Sequence, residues 1–239
     1  MDPLIKKLEG YGPLSEEERE FLAQSPSQFR DYEPREPIVI EGDRPSECCV
    51  VVNGFACRFK TLPDGRRQIL AFHIPGDFSD LHSFSLKKLD HGIAAVTACT
   101  IARVPHEKVR EATDRHANLA RAFMWDLAID AAVTRAWMVS MGRRSAREQM
   151  AHLLCELLYR LRAVELADEC SFEFPVTQAD LGDALGLSTV HVNRVLQDLR
   201  GEDLITLKNR ILTILDLPRL KQVAAFDRTY LHVRGGLDE

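Results

Sequence analysis

The sequence predicts an α+β fold in three parts: a small N-terminal β-roll, barrel or sandwich, a long helix, and a C-terminal helical region closed by a β-hairpin. Three patterns predict it. Short β-branched runs punctuated by glycines occupy residues 29–104, no helix breaker interrupts residues 118–141, and two short amphipathic helices flank a glycine at position 186. We therefore expect domains at residues 1–116, 117–142 and 143–239.

The composition is that of an ordinary globular protein. Of the 239 residues, 45% are hydrophobic and 28% are charged, which is typical of soluble domains. The first ten residues do not resemble a signal peptide, and no uncharged apolar run is long enough to cross a bilayer. We therefore expect a cytoplasmic protein without membrane contact. Because the net charge is −5, any contact with nucleic acid must come from a local basic face.

The six cysteines lack the spacing of a metal site. No CxxC pair occurs, which argues against an iron–sulfur cluster or a zinc site of the usual kind. In a cytosolic chain, reduced and mostly buried thiols are expected, and a redox role for one of them stays open. The cysteines are Cys48, Cys49, Cys57, Cys99, Cys155 and Cys170.

A helix followed by short strands is expected in the N-terminal region. Ser15 and Glu18 have the spacing of a capping box, so a helix should begin there. From residue 29 onward the short runs and regular turns are typical of a small roll or sandwich. Asp64-Gly65 predicts a hairpin turn between two of the strands. The turn glycines, 11 or 12 residues apart, are Gly42, Gly54, Gly65 and Gly76.

The long helix carries apolar residues at spacings of mostly three or four, including Ala131 and Met138. A helix of that length has more apolar surface than a small roll can cover, so we expect it to pair with its twin in a coiled-coil-like homodimer. Asp130 and Thr134 lie near this stripe and could fix the register. The alternative, a helix packed only on its own roll, stays open. The predicted dimerisation residues are Leu119, Phe123, Leu127, Asp130, Thr134, Trp137 and Met141.

After a break at residues 142–145, one more amphipathic helix leads to the segment with the clearest signals. Thr177 is a predicted N-cap, Gly186 suits a tight turn that needs a positive φ, and Ser188 is the predicted N-cap of a second helix. Gly182 is small where the second helix must approach closely. Two short helices joined in this way are a helix-turn-helix.

The second of these helices has an outward face suited to the DNA major groove. A recognition helix places its N-terminal residues against base edges. Arg194 suits a bidentate contact to guanine, and Asn193 or Gln197 suits adenine or phosphate. Lys208 and Arg210 lie in a predicted β-hairpin wing, where they could contact phosphates. The predicted DNA-binding residues are Thr177, Thr189, Val190, His191, Asn193, Arg194, Gln197, Lys208 and Arg210.

These motifs together resemble the Crp/Fnr family of bacterial regulators over nearly the whole chain. The signposts of the N-terminal region are Glu41-Gly42-Asp43, Asn53-Gly54, Asp64-Gly65-Arg66, Pro75-Gly76-Asp77-Phe78 and Thr97-Ala98-Cys99. Those of the C-terminal region are Leu181-Gly182-Asp183-Ala184-Leu185-Gly186-Leu187-Ser188 and Val192-Asn193-Arg194.

The resemblance implies a cyclic-nucleotide-binding-like β-roll of the jelly-roll type, a dimerisation helix and a C-terminal winged helix-turn-helix. It also implies a near-palindromic operator in double-stranded DNA and contact with RNA polymerase. A non-enzymatic transcriptional regulator is the function expected.

Departures from the family pattern bear on the effector. Nucleotide-binding members hold ribose and phosphate with a Gly-Glu pair and a later Arg-Ser or Arg-Thr, where this chain has Ser79-Asp80-Leu81 and Leu89-Asp90-His91. An acidic residue in place of the arginine would repel the phosphate, so a standard cyclic AMP site is not expected. No N-terminal cysteine cluster for iron–sulfur binding is present, and the effector stays unidentified. The candidate axial ligands for haem are His73, His82 and His91.

Two other functions are compatible with parts of the pattern. A cupin-like metal enzyme shares the small-barrel texture, but it requires clustered ligands, and the three histidines lack a close His-x-His pair. A ligand-binding signalling module would use its helical tail for protein contacts and would not select a DNA sequence.

Overall fold

The computed structural model describes residues 1–86 and 88–232. The described residues cluster into two compact units that divide between Asp130 and Ala131. The division falls within the long helix, whereas the sequence placed domain boundaries at its two ends. Residues 233–239, the end of the predicted C-terminal domain, lie outside the described part of the chain.

Two helices precede the strands of the first unit. Helix α1 (Asp2–Glu9) has no strong sequence signal beyond Pro3 in its first turn and was not predicted. Helix α2 (Glu16–Gln24) begins at the predicted capping box, in which Ser15 and Glu18 each bond to the backbone of the other. Both helices bury leucines in a core shared with the strands that follow.

Seven antiparallel strands form the predicted roll in two sheets. One sheet has the order β1-β7-β3 and the other β2-β6-β4-β5. The Asp64-Gly65 turn joins β4 to β5 and places Phe59 opposite Ile69, which confirms the hairpin. The strands are β1 (Gln28–Tyr32), β2 (Pro37–Val39), β3 (Glu47–Asn53), β4 (Ala56–Thr61), β5 (Arg67–His73), β6 (Gly92–Ala95) and β7 (Cys99–Pro105).

The long helix exists as predicted, but its apolar stripe is divided. After a short helix α3 (His106–Arg115), helix α4 runs unbroken for 27 residues from Ala117 to Arg143. Leu119 and Phe123 are buried in the core of the roll, whereas Met138 and Met141 are 64% and 44% exposed. The expectation that one continuous stripe faces a twin helix is therefore corrected.

The geometry of an α-helix explains the division. Residues advance by about 100° around the axis, so each four-residue step drifts by about 40°. The predicted stripe begins with three such steps, and Ala131 therefore points about 120° away from Leu119. Alternating steps of four and three stay on one face. The exposed residues with this spacing are Met124, Ala128, Ala131, Arg135 and Met138, which we call the α4 seam.

Polar residues of α4 also have roles within the chain. Asp130, expected to fix a dimer register, forms an ion pair with Arg58 of the roll at 3.0 Å. Trp137 is buried, and its indole N–H donates to the carboxylate of Glu156 at 3.1 and 3.2 Å. Leu127 is half-buried against the core of the roll, and Thr134 is exposed.

The second unit is built around helix α5 (Ala146–Ala163), most of whose residues are buried. A three-stranded sheet has the order β8-β10-β9; its first strand was not predicted. No helix in the described ranges is long and apolar enough to cross a membrane. The remaining elements are β8 (Ser171–Glu173), α6 (Gln178–Leu185), α7 (Thr189–Gly201), β9 (Ile205–Lys208), β10 (Ile211–Ile214) and α8 (Leu217–Ala224).

Candidate functional site

Helices α6 and α7 meet at a tight turn whose shape depends on two glycines. Gly186 ends α6 with φ of +67°, in the left-handed region that favours glycine. A side chain at Gly182 would place its Cβ 2.6 Å from the carbonyl oxygen of Leu187, a clash with the backbone of the turn. These two glycines therefore allow α7 to begin close against α6.

Both helices begin at the predicted hydroxyl caps. The side chain of Thr177 accepts a hydrogen bond from the backbone N–H of Asp180, and Ser188 accepts one from His191 at 3.3 Å. Thr177 and Ser188 are exposed. Free N–H groups and the positive end of the helix dipole make such helix starts suitable for phosphate groups.

Helix α7 has two distinct faces. Its buried face packs in the core of the second unit through Val192, Val195, Leu196 and Leu199, each at most 3% exposed. The opposite face carries the residues that the sequence predicted for DNA contact. These exposed residues are Thr189, Val190, His191, Asn193, Arg194 and Gln197.

The hairpin wing is also present. Strands β9 and β10 pair with Lys208 opposite Ile211, and the two-residue loop between them is Asn209-Arg210. Both loop residues have positive φ, 52° and 64°, as a type I′ hairpin turn requires. Lys208 and Arg210 are exposed, so both cations are accessible to a phosphate backbone.

An ion-pair network that the sequence did not suggest follows the C-terminal end of α7. Glu202 accepts from Arg147 at 2.6 Å and from Arg219 at 3.0 Å. It links the first turn of α5, the end of α7 and the start of α8. The guanidinium of Arg147 is thus engaged with this carboxylate. Long sequence separation left no local signal for the network.

In the roll, Asp80 is fully buried and turned toward a strand. One of its oxygens accepts from the backbone N–H of Cys49 at 2.6 Å, and the other has no hydrogen-bond partner among the described residues. Burial raises the pKa of this carboxyl to about 6, against the opposing effect of the Cys49 hydrogen bonds. The Ser79-Asp80 segment, expected from the family resemblance to match the ribose-holding pair, is therefore occupied by bonds within the chain.

Arg58 is a buried charge that sequence reasoning missed. It lies on β4 and donates to the carbonyl oxygen of Ser79 and to the carboxylate of Asp130, both at 3.0 Å. An arginine in a strand of alternating polar and apolar residues is usually predicted to face solvent. The contact with Asp130 on α4 shows that the side chain of Arg58 is buried instead. Arg58 therefore connects the Ser79-Asp80 segment to α4 within the first unit.

The three histidines considered for haem lie in the roll without a ligand set around them. His73 and His91 are buried and His82 is half-buried, and the rings of His82 and His91 lie 5.1 Å apart. Burial lowers the pKa of His82 to about 4, assisted by the charge of Arg58. No group of three or more metal-ligating side chains occurs among residues 1–86 and 88–232. All six cysteines are free thiols.

Both parts of the chain match known families. Residues 29–116 match the cyclic nucleotide-binding domain, and residues 148–223 match the Crp-like helix-turn-helix domain. The chain is 33% identical over 220 residues to the transcriptional activatory protein AadR of Rhodopseudomonas palustris, covering 90% of this chain and 87% of that protein. It is 34% identical over 196 residues to the nitrogen fixation regulation protein FixK of Bradyrhizobium diazoefficiens, covering 80% and 79%.

A solved structure is similar over the same extent. The structure of FixK2 from Bradyrhizobium japonicum superposes with a TM-score of 0.75 at 27% identity, covering 84% of this chain and 98% of that one. The family matches cover the roll and the helix-turn-helix region, and the similarity to the relatives and to the solved structure extends over most of this chain. The chain belongs to the Crp/Fnr family of transcriptional regulators, with a helix-turn-helix DNA-binding domain joined to a sensor-type β-roll.

Proposed function

We propose that this regulator binds a near-palindromic operator as a homodimer and reads base edges with α7. The observation that carries the proposal is the outward face of that helix, where Asn193, Arg194 and Gln197 are exposed while the opposite face holds the core. Arg194 is assigned to guanine, because a guanidinium can donate two parallel hydrogen bonds to the N7 and O6 atoms. Thr189 and Val190, near the start of the helix, are assigned to thymine methyl groups, and His191 to the surface of the groove.

Phosphate contacts are assigned to the surroundings of α7. The exposed caps Thr177 and Ser188 mark two helix starts that favour anions. Lys208 and Arg210 of the wing supply positive charge beside them. Such contacts hold the protein on the duplex without reading its sequence.

Dimerisation is assigned to the α4 seam. Met138 and Met124 are 64% and 70% exposed, an unusual position for large apolar side chains on a helix with a buried opposite face. A second copy of the same helix would cover them, and small Ala128 and Ala131 between them would let the two helices approach closely. A two-fold dimer in turn matches the symmetry of a near-palindromic operator.

Regulation through RNA polymerase completes the proposal. The relatives AadR and FnrL are described as transcriptional activators, and an activator bound beside a promoter acts by contacting the polymerase. We place this activity in the cytoplasm, together with the chromosomal DNA that it requires. In vitro transcription from a promoter carrying the selected operator tests this part of the proposal.

Selection from a randomised duplex library, followed by fluorescence anisotropy, tests the DNA contact. Wild-type protein is expected to enrich a two-fold symmetric sequence. Arg194→Ala should weaken binding to that sequence by about 1–3 kcal/mol and relax the preference at one base pair of each half-site. Arg66→Ala, which removes an exposed arginine of the β4–β5 hairpin, is the matched control and should bind as wild type does. Equal binding by wild type and Arg194→Ala would show that the recognition helix is misassigned.

A further inference from the structure

The guanidinium of Arg58 connects three parts of the first unit. Arg58 belongs to the sheet β2-β6-β4-β5, and it donates to the Ser79 carbonyl oxygen at 3.0 Å. Ser79 in turn is bonded to the carbonyl oxygen of Cys49 through its backbone N–H at 2.9 Å and its hydroxyl at 3.2 Å. Cys49 lies on β3 of the other sheet, so this chain of polar contacts crosses the roll.

The third connection reaches helix α4. The second terminal nitrogen of Arg58 lies 3.0 Å from the carboxylate of Asp130, and the side chain of Arg58 is only 11% exposed. Burial opposes ionisation of Asp130, yet the charge of Arg58 keeps the pKa of that carboxyl below its usual range. The pair is therefore ionised, and breaking it would leave a buried guanidinium without its counter-charge.

A second buried ion pair holds the same face of α4. Asp126, one helical turn before Asp130, lies 2.6 Å from the ammonium group of Lys7 on α1, which also contacts Asp77 at 2.7 Å. Residues four apart lie on one side of a helix. Two carboxylates of α4 are thus bound by two cations from separate parts of the first unit.

The residues around Ser79, Asp80 and Asp90 do not fit a cyclic nucleotide. Asp80 is buried and bonded to Cys49, and the Ser79 carbonyl accepts from Arg58. Asp90, 2.9 Å from His91, is a carboxylate in the segment that the family resemblance matches to the phosphate-holding arginine. Arg58, the cation that contacts Ser79, is paired with Asp130. A phosphate diester would have to displace a carboxylate held within the chain, at the cost of desolvating charges on both sides.

We propose that the Arg58–Asp130 ion pair takes the place of an effector, so that the protein binds its operator without any small-molecule ligand. The guanidinium joins the Ser79-Asp80 segment of the roll to α4, the helix that continues into the DNA-binding unit. The linkage is built into the sequence and is present in every molecule. The proposal concerns the regulation of the DNA-binding function proposed above and rests on it.

Three measurements on the full-length protein test the proposal. Duplex affinity is measured by anisotropy on the selected operator, cyclic AMP and cyclic GMP are titrated by calorimetry, and the exchange of backbone amides in residues 117–135 is followed by mass spectrometry. The variants are Arg58→Met, which removes the charge but keeps an apolar stem, and Asp130→Asn, together with the double variant. The control is Arg66→Ala, which removes the exposed pair with Asp64.

Wild type is expected to bind the operator with no added ligand, and neither nucleotide should give heat or change the affinity. Arg58→Met and Asp130→Asn should each weaken operator binding at least tenfold and speed amide exchange in α4 at least tenfold. The double variant should bind the operator no more weakly than the single variant with the lower affinity, because each single substitution already removes the same interaction. Arg66→Ala should match wild type in all three measurements.

Two results would overturn the proposal: nucleotide binding that tightens operator binding by wild type, or unchanged exchange and affinity in Asp130→Asn. If Arg58→Met does not fold, Asp130→Asn still decides, because Asp130 is partly exposed and the substitution is close in size. If wild type fails to bind any duplex, the proposed function fails. The exchange of α4 amides would then still show whether the ion pair fixes this helix, independently of DNA.

Discussion

Asp80 places a carboxyl group in the core of the roll with one of its two oxygens bonded to Cys49. Because burial raises its pKa to about 6, the native state accepts ionisation of this group less readily than the unfolded chain does. The residue therefore destabilises the fold when it is charged. The Cys49 hydrogen bond alone does not offset this cost.

The pH dependence of stability follows from the direction of that shift. Between the unfolded pKa of 3.8 and the native value of about 6, rising pH ionises the unfolded state first, so the free energy of unfolding falls. Each unit of pKa difference corresponds to about 1.4 kcal/mol. Asp80→Asn keeps an acceptor for the Cys49 N–H but removes the titration. Its stability relative to wild type should rise by about 2 kcal/mol between about pH 4 and pH 7.

Urea unfolding at both pH values measures this difference, and Asp64→Asn, at an exposed turn, is the control. The titration of the buried histidines changes the free energy of unfolding with pH in the opposite direction. It is the same in wild type and variant, so comparing the two at each pH cancels it. A difference that does not change with pH would mean that Asp80 titrates normally in the native protein.

At the residue scale, local chemistry decided what the sequence could predict. The caps Ser15, Thr177 and Ser188 and the turn glycine Gly186 were predictable because each acts on neighbours within a few residues. Arg58 and its partner Asp130 lie 72 positions apart, and no local pattern connects them. The departure from the family pattern at Ser79-Asp80 was visible in the sequence. The hydrogen bonds that these residues form with Arg58 and Cys49 could be seen only in the folded structure.

At the scale of elements, α4 shows that a sequence pattern predicts the presence of a helix better than it predicts which face of the helix is buried. The absence of breakers predicted its length within a residue or two. The choice of face was wrong at Leu119 and Phe123, because four-residue steps rotate around the helix and the roll covers one side. The α4 seam was visible in the sequence as alternating steps of four and three, for example at Met124, Ala128 and Ala131. Its residues are less apolar overall than those of the stripe that was predicted to form the dimer.

The α4 seam gives a direct test of the proposed dimer. Met138→Glu places a charge on the surface that a twin helix would cover, and an unpaired buried charge is costly. We expect the dimer dissociation constant to rise at least about tenfold, measured by sedimentation equilibrium. Leu62→Glu, which changes another exposed apolar side chain, 46% exposed in the roll, should leave it unaltered. Equal dissociation constants for the two variants would exclude the seam as the contact.

At the scale of the whole molecule, a protein of net charge −5 must approach a polyanion. Long-range attraction from the overall charge is unfavourable, so the local cations of the wing gain in importance. Lys208 precedes the two-residue turn of the hairpin and Arg210 lies within it, and both turn residues have positive φ angles. This geometry holds both charges at the tip of the wing.

The salt dependence of operator binding measures the contribution of the wing. Each phosphate contact contributes about one unit to the slope of log affinity against log salt. The Lys208→Ala/Arg210→Ala double variant should therefore lose about two units of slope, while base preference stays the same. Arg66→Ala should retain the wild-type slope. A double variant with an unchanged slope would show that the wing does not contact phosphate.

The separation of faces on α7 has a consequence for how such a regulator can change over time. Val192, Val195, Leu196 and Leu199 carry the packing, whereas the residues facing outward contribute little to it. If the proposed recognition face is correct, substitutions at Thr189, Val190 or Asn193 should alter which operators are selected without disturbing the core. A duplicated copy of the gene could acquire a separate set of target promoters through a few such changes, while the roll, the long helix and the turn remained as they are.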